Sequence, residues 1–122
     1  MSIAPFARGD SKTFPFSFKV KDSDPPVPID ISGKHLRFTM KASKDDPDPG
    51  ALQKTLGPFT GPEAVAGTGT LTLTSTETDG LTPGKYFFDF QLSDPSVSPP
   101  YVTTVGQGVI VILQDVTRSV PT

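Results

Sequence analysis

Residues 85–92 read Lys85-Tyr86-Phe87-Phe88-Asp89-Phe90-Gln91-Leu92. Tyr86, Phe88, Phe90 and Leu92 fall on one side of an extended chain, and Phe87, Asp89 and Gln91 on the other. A period of two with aromatic residues on one row predicts a strand with one buried face. Just upstream, Thr82-Pro83-Gly84 places Pro and Gly where a type II turn wants them. Before that turn, Thr74 and Glu77 have the spacing of a capping box over Ser75 to Leu81, and Gly80 is placed to end that single helical turn.

The same period recurs outward from this strand. Leu71 and Leu73 point inward along Thr70 to Thr74, with threonines on the outer row. Leu36, Phe38 and Met40 alternate with His35, Arg37, Thr39 and Lys41. Phe14, Phe16, Phe18 and Val20 alternate along Thr13 to Lys21, where Pro15, with no N–H to give to a neighbour, marks either an edge or a position facing away from the ladder. Ile29-Asp30-Ile31 precedes a break at Ser32-Gly33, and Ala51 to Thr55 forms a short strand. Tyr101 to Val105 and Gln107 to Val116 read as two final strands separated by Gly106. Asp22 to Pro28 and Asp94 to Pro100 are Pro-rich turns. Gly57 to Gly69 reads as a long irregular loop, the segment expected to be most mobile or most dependent on a partner.

Six or seven short strands without a long helix predict an all-β fold, an antiparallel two-sheet immunoglobulin-like β-sandwich of about seven strands. A barrel is the alternative. Residues 8–118 make the domain, 1–7 an N-terminal arm and 119–122 a tail. The 122 residues suffice for one domain, and 14 Pro with 11 Gly exclude a helical bundle or coiled coil. A net charge of −2 argues against a protein that coats nucleic acid, which needs a basic surplus. Cysteine is absent, so packing alone must hold the fold, as suits a reducing cytoplasm. The first residues lack the pattern of a signal peptide. The aliphatic run Val109 to Leu113 is too short to cross a bilayer, so a soluble chain without membrane contact is expected.

Chemistry is sparse. His35 lies in the outer row between Lys34 and Arg37, and reads as a solvated or interface histidine rather than a catalytic base. Asp45, Asp46 and Asp48 form an acidic loop. Asp46-Pro47-Asp48-Pro49-Gly50 opens like a calcium loop, but Gly57 stands where the closing glutamate belongs. Gly33-Lys34 and Gly84-Lys85 lack the rest of a phosphate loop, and Gly67-Thr68-Gly69 lacks the rest of a dinucleotide fingerprint. Arg8-Gly9-Asp10 spells an adhesion tripeptide, but reads as the entry to the first strand, where Gly9 supplies an unusual backbone angle. The expectation is therefore no catalytic residue, no metal and no cofactor.

Two apolar surfaces are left over by alternation. Ile110 and Ile112 lie opposite Val109, Val111 and Leu113, and Phe87 lies opposite Tyr86 and Phe88. If the odd-numbered row enters the core, Ile110 and Ile112 need other cover, either from the chain's own loops or from a partner. Pro15, Phe59, Phe87, Ile110 and Ile112 are the candidate interface residues.

Several stretches together resemble a known family. Arg8-Gly9-Asp10-Ser11-Lys12-Thr13-Phe14, Pro28-Ile29-Asp30-Ile31-Ser32-Gly33 and Leu36 to Lys41 are similar to the small immunoglobulin-like domain of tailed-phage virion proteins. The N-terminal domain of the phage baseplate upper protein is its named example. Leu73 to Leu81, Pro83 to Leu92, and Gly108-Val109 through Asp115 to Arg118 carry the likeness further, so it spans about residues 8 to 118. The resemblance implies a non-enzymatic structural component of the virion, in the tail, baseplate or fibre attachment, or an accessory protein. Its partners would be other phage virion proteins in a symmetric multi-copy assembly, where many weak contacts add up. The chain stops at Thr122, without a receptor-binding-protein docking region, which leaves a direct adaptor role less fitting than an accessory one. A head decoration protein of the same fold is the variant reading. A carbohydrate-binding or host-surface adhesion module is the rival, with Tyr101, Phe59 and Phe87 as its candidate platforms.

Overall fold

A computed structural model describes residues 3–19, 25, 27–48, 50–96 and 101–114. The described chain is mostly β. Its strands are β1 (Phe6–Ala7), β2 (Lys12–Ser17), β3 (His35–Lys41), β4 (Leu52–Leu56), β5 (Thr68–Leu73), β6 (Gly84–Asp94) and β7 (Tyr101–Leu113). Two single-turn helices, α1 (Gly61–Val65) and α2 (Ser75–Asp79), flank β5. One sheet has five strands in the order β1-β7-β6-β3-β4, and a second pairs β2 with β5. The five-stranded sheet is mixed, because β1 runs parallel to β7 while its other pairings are antiparallel. The expectation of purely antiparallel sheets is corrected there. Within residues 1–7, Phe6 and Ala7 pair with Ile112 and Leu113, and Phe6 is buried.

Both sheets contribute to one apolar core. Leu36, Phe38 and Met40 of β3 and Tyr86, Phe88, Phe90 and Leu92 of β6 face Phe16, Phe18, Leu71 and Leu73. The rings of Phe16 and Phe18 stack at 5.0 Å, and both touch Phe90 from across the core, at 6.3 and 6.2 Å. Burial of such large rings supplies most of the drive to fold. The alternation read along Lys34 to Lys41, Thr70 to Thr74 and Lys85 to Leu92 thus matches the buried rows. Val20 and Lys21, the end of the first expected strand, lie outside the described residues, as do residues 97–100 and 115–122.

Three local features position these strands. The capping box forms as its spacing predicts: the Glu77 N–H donates to Thr74 Oγ1, and the Thr74 N–H donates to Glu77 Oε1 at 2.9 Å. Thr78, fully buried in α2, donates its hydroxyl to the Asp10 carbonyl at 2.8 Å and so ties the β1–β2 connection down. The segment 57–69 is not the irregular loop expected. Pro62 opens α1, whose Ala64 is buried, and the Ile31 N–H donates to the Ala64 carbonyl. Gly67 then turns with φ +73°, and a Cβ there would lie 2.5 Å from the Ile29 carbonyl and 2.6 Å from that of Phe18. Only glycine permits this three-way backbone approach.

The last strand also departs from its reading. Tyr101 to Leu113 is one strand of 13 residues, not two. Opposite the consecutive pair Phe90 and Gln91, the strand places Gly106 and Thr104, so Val105 is an extra residue in a bulge. The bulge reverses which parity faces the core. Downstream of it Ile110 and Ile112 are buried, 1% exposed each, while Val109, Val111 and Leu113 face outward. Upstream, Val102 and Thr104 are the exposed residues.

Candidate functional site

The outer face of the five-stranded sheet is built from residues that sequence alternation places opposite the core. Register aligns them in rows. Gln53, Thr39, Asp89 and Gln107 make one row across β4, β3, β6 and β7, and Thr55, Arg37, Gln91 and Thr104 make the next. Lys41, Phe87 and Val109 make a third, and Lys85 and Val111 a fourth. Together with Lys44 and Asp48 from the 42–50 loop, most of these line an open groove of about 590 Å³.

The groove is lined mainly by polar and charged side chains, with Phe87 and Val109 as apolar members. Gln53 Nε2 donates to Thr39 Oγ1 at 3.1 Å, which lays the Gln53 side chain over Thr39 and leaves that threonine 8% exposed despite its outward position. Arg37 Nε donates to Thr55 Oγ1 at 3.2 Å. Lys41 pairs with Asp48 at 2.9 Å, and the Lys41 hydrogen bond holds the Asp48 carboxyl below its ordinary pKa. Asp89 shifts the other way. Partial burial raises its pKa, opposed by the Lys41 charge and reinforced by that of Asp48. Phe87 is half-buried with two ammonium groups, Lys44 and Lys85, each 5.1 Å from the ring centre. Beyond it Val109 is 40% exposed, Val111 36% and Leu113 48%.

Of the five candidate interface residues, the structure brings none into one patch. Phe87 lies in the groove. Pro15 is exposed on β2, beside a smaller groove of about 340 Å³ bounded by Ile3, Phe14 and Phe90. Phe59 is half-buried and packs edge-on against Phe16 at 6.1 Å, held by the Gly33 N–H donating to its carbonyl. Ile110 and Ile112 are corrected outright. Both sit in the core and present no surface, because the chain buries their row and leaves the odd-numbered row outside. That odd row, with Arg37, Asp89, Gln91 and Gln107, is what the candidate set omits. Arg37, Asp89 and Gln91 are legible as the outward positions of β3 and β6; the valines are hidden in a run that is apolar at every position.

The other singled-out groups are used locally. His35 opens β3 opposite Ser93. Asp46 accepts from the Ser43 N–H at 3.1 Å, so it shapes its own turn. The Arg8 N–H donates to the Leu113 carbonyl and the Asp10 carbonyl accepts from Thr78, so Arg8-Gly9-Asp10 is built into the β1–β2 turn with its backbone held at both ends. The side chain of Tyr101 lies outside what is described. No helix among the described residues is long and apolar enough to cross a membrane. No family model matches this chain, and no curated protein matches it either.

Proposed function

We propose that this chain is an immunoglobulin-like β-sandwich that works by contact, as a non-enzymatic structural protein of a tailed-phage virion. Strand order supports the fold. The order β7-β6-β3-β4 follows G-F-C-C′ of such a sandwich, and β2-β5 follows B-E. Tyr86, at the start of β6, donates its hydroxyl to the Thr82 carbonyl at 2.6 Å, the arrangement of a tyrosine corner. The observation that carries the contact reading is the outward apolar row Val109, Val111 and Leu113 beside Phe87. Its partners are other virion proteins in a symmetric assembly, met through protein surface and not through nucleic acid or membrane. Mass spectrometry of purified particles, with heads and tails analysed separately, tests this. Presence in tails supports a tail, baseplate or fibre-attachment role, presence in heads a decoration role, and absence from both removes the virion reading.

A second reading has its own observation. Gln53, Gln91, Gln107, Asp89 and Arg37 line the groove together with Phe87, a mix of amide, acid and guanidinium groups with an aromatic ring that suits a carbohydrate. Selective binding on a glycan array, lost in both Phe87→Ala and Gln91→Ala, would favour it over the contact reading.

A further inference from the structure

The two ends of the five-stranded sheet are guarded differently. At β4, the inner row reads Leu52, Lys54, Leu56, so a charged side chain points inward at the edge. In the smaller sheet, β2 carries Lys12 and Pro15. Inward charges, lysines and prolines are among the devices that stop an edge strand from pairing with another chain, as are bulges. β7 has a bulge, at Val105, but its 13 residues include no charge, lysine or proline. Among the described residues, β1 covers the outer edge of β7 only at Ile112 and Leu113, leaving Tyr101 to Val111 with a strand neighbour on the β6 side alone.

We infer that this edge pairs with the same edge of a second copy of the chain, antiparallel across a two-fold axis, to join two five-stranded sheets into one. This extends the contact reading by naming a partner, but rests on the edge alone and not on where the protein resides. Charge favours self-pairing: a two-fold axis brings each edge against its own kind, which a charged edge resists and a neutral one does not.

Geometry sets the register. β1 occupies the end of the edge, so a second copy must lie along Tyr101 to Val111 and centre near the bulge. Residues opposite each other in a sheet share a face. Outward residues therefore meet when Val102 of one copy faces Val111 of the other, and Thr104 faces Val109. The exposed valines at the two ends of the edge, Val102 at 53% and Val111 at 36%, then cover one another.

Sedimentation velocity on the purified chain, from micromolar to about 1 mM, tests the inference. The wild type is expected to dimerise. Thr104→Lys/Val109→Lys sets like charges opposite each other twice and should weaken the dimer at least about tenfold, whereas Thr104→Glu/Val109→Lys should retain it. Both positions are exposed, so circular dichroism should show unchanged strand content. A monomeric wild type, or two double variants that behave alike, overturns the inference. Amide exchange on the wild type answers without substitution: protection across 101–111 should rise with protein concentration, and exchange there that ignores concentration overturns the pairing. Absence of the protein from phage particles would leave this result untouched.

Discussion

Lys54 and Glu77 meet at 2.9 Å, joining the inner row of β4 to the first turn of α2. Lys54 also donates to the Thr72 carbonyl, so one ammonium group closes the side of the core between β4 and β5. The Glu77 oxygen that accepts it also accepts the Thr74 N–H. That backbone bond, then the Lys54 bond, holds the Glu77 carboxyl below its ordinary pKa.

A lowered folded pKa means that the contribution of Glu77 is complete above the ordinary carboxylate range and is lost as pH falls through the folded value. Glu77→Gln should cost about 0.5–1 kcal/mol at neutral pH, given a partly exposed pair. Urea unfolding of both proteins at neutral and strongly acid pH checks this, since the difference should close in acid.

Asp89 carries the opposite sign. Burial raises its folded pKa, so its ionised form opposes folding at neutral pH and the cost fades as pH falls through the raised value. Asp89→Asn should raise the melting temperature at neutral pH and leave it unchanged in acid. Thermal melts at the two pH values decide it.

Tyr86 is 5% exposed and its hydroxyl has the Thr82 carbonyl as acceptor. Tyr86→Phe keeps the ring and removes that bond, at a cost of about 0.5–1.5 kcal/mol by chemical denaturation.

At Gly69 there is no positive φ to protect, yet a Cβ would lie 2.4 Å from Phe16 Cζ. Phe16 is wedged against Phe18 and Phe90 and has little room to retreat. Gly69→Ala should destabilise by about 1–3 kcal/mol through packing alone. Pairing it with Phe16→Leu, which vacates the contested volume, should give a sum smaller than the two single costs.

Neighbouring residues of β7 should differ sharply. Ile110→Ala opens a core cavity and should cost about 2–5 kcal/mol. Val109→Ala, on the outer face, should change stability by less than about 0.5 kcal/mol. Equal costs would contradict the parity described for this strand.

Much of this was legible in the sequence, and particular residues show why the rest was not. Leu36, Phe38 and Met40, and Tyr86, Phe88, Phe90 and Leu92, alternate with polar neighbours, so period alone identifies the buried row. Thr74 and Glu77 announce their helix because a capping box is local chemistry. Val109 to Leu113 carries no such contrast, and the bulge at Val105 makes any parity counted from upstream arrive reversed. α1 is hidden because Gly61 and Pro62 look like breakers, although Pro is well placed at the start of a helix. β1 is too short to have a period at all. The groove needs the register of four strands, and that is fixed by long-range pairing rather than by any local motif.

Val105 gives β7 slack that strands ordinarily lack. Losing a residue from mid-strand normally turns everything beyond it inside out. Here the opposing strand already skips one, with Thr104 and Gly106 set against consecutive residues. Deleting Val105 would bring those two together and leave Val102 facing water and Ile110 facing the interior, so the strand can shorten by one without exchanging its two sides.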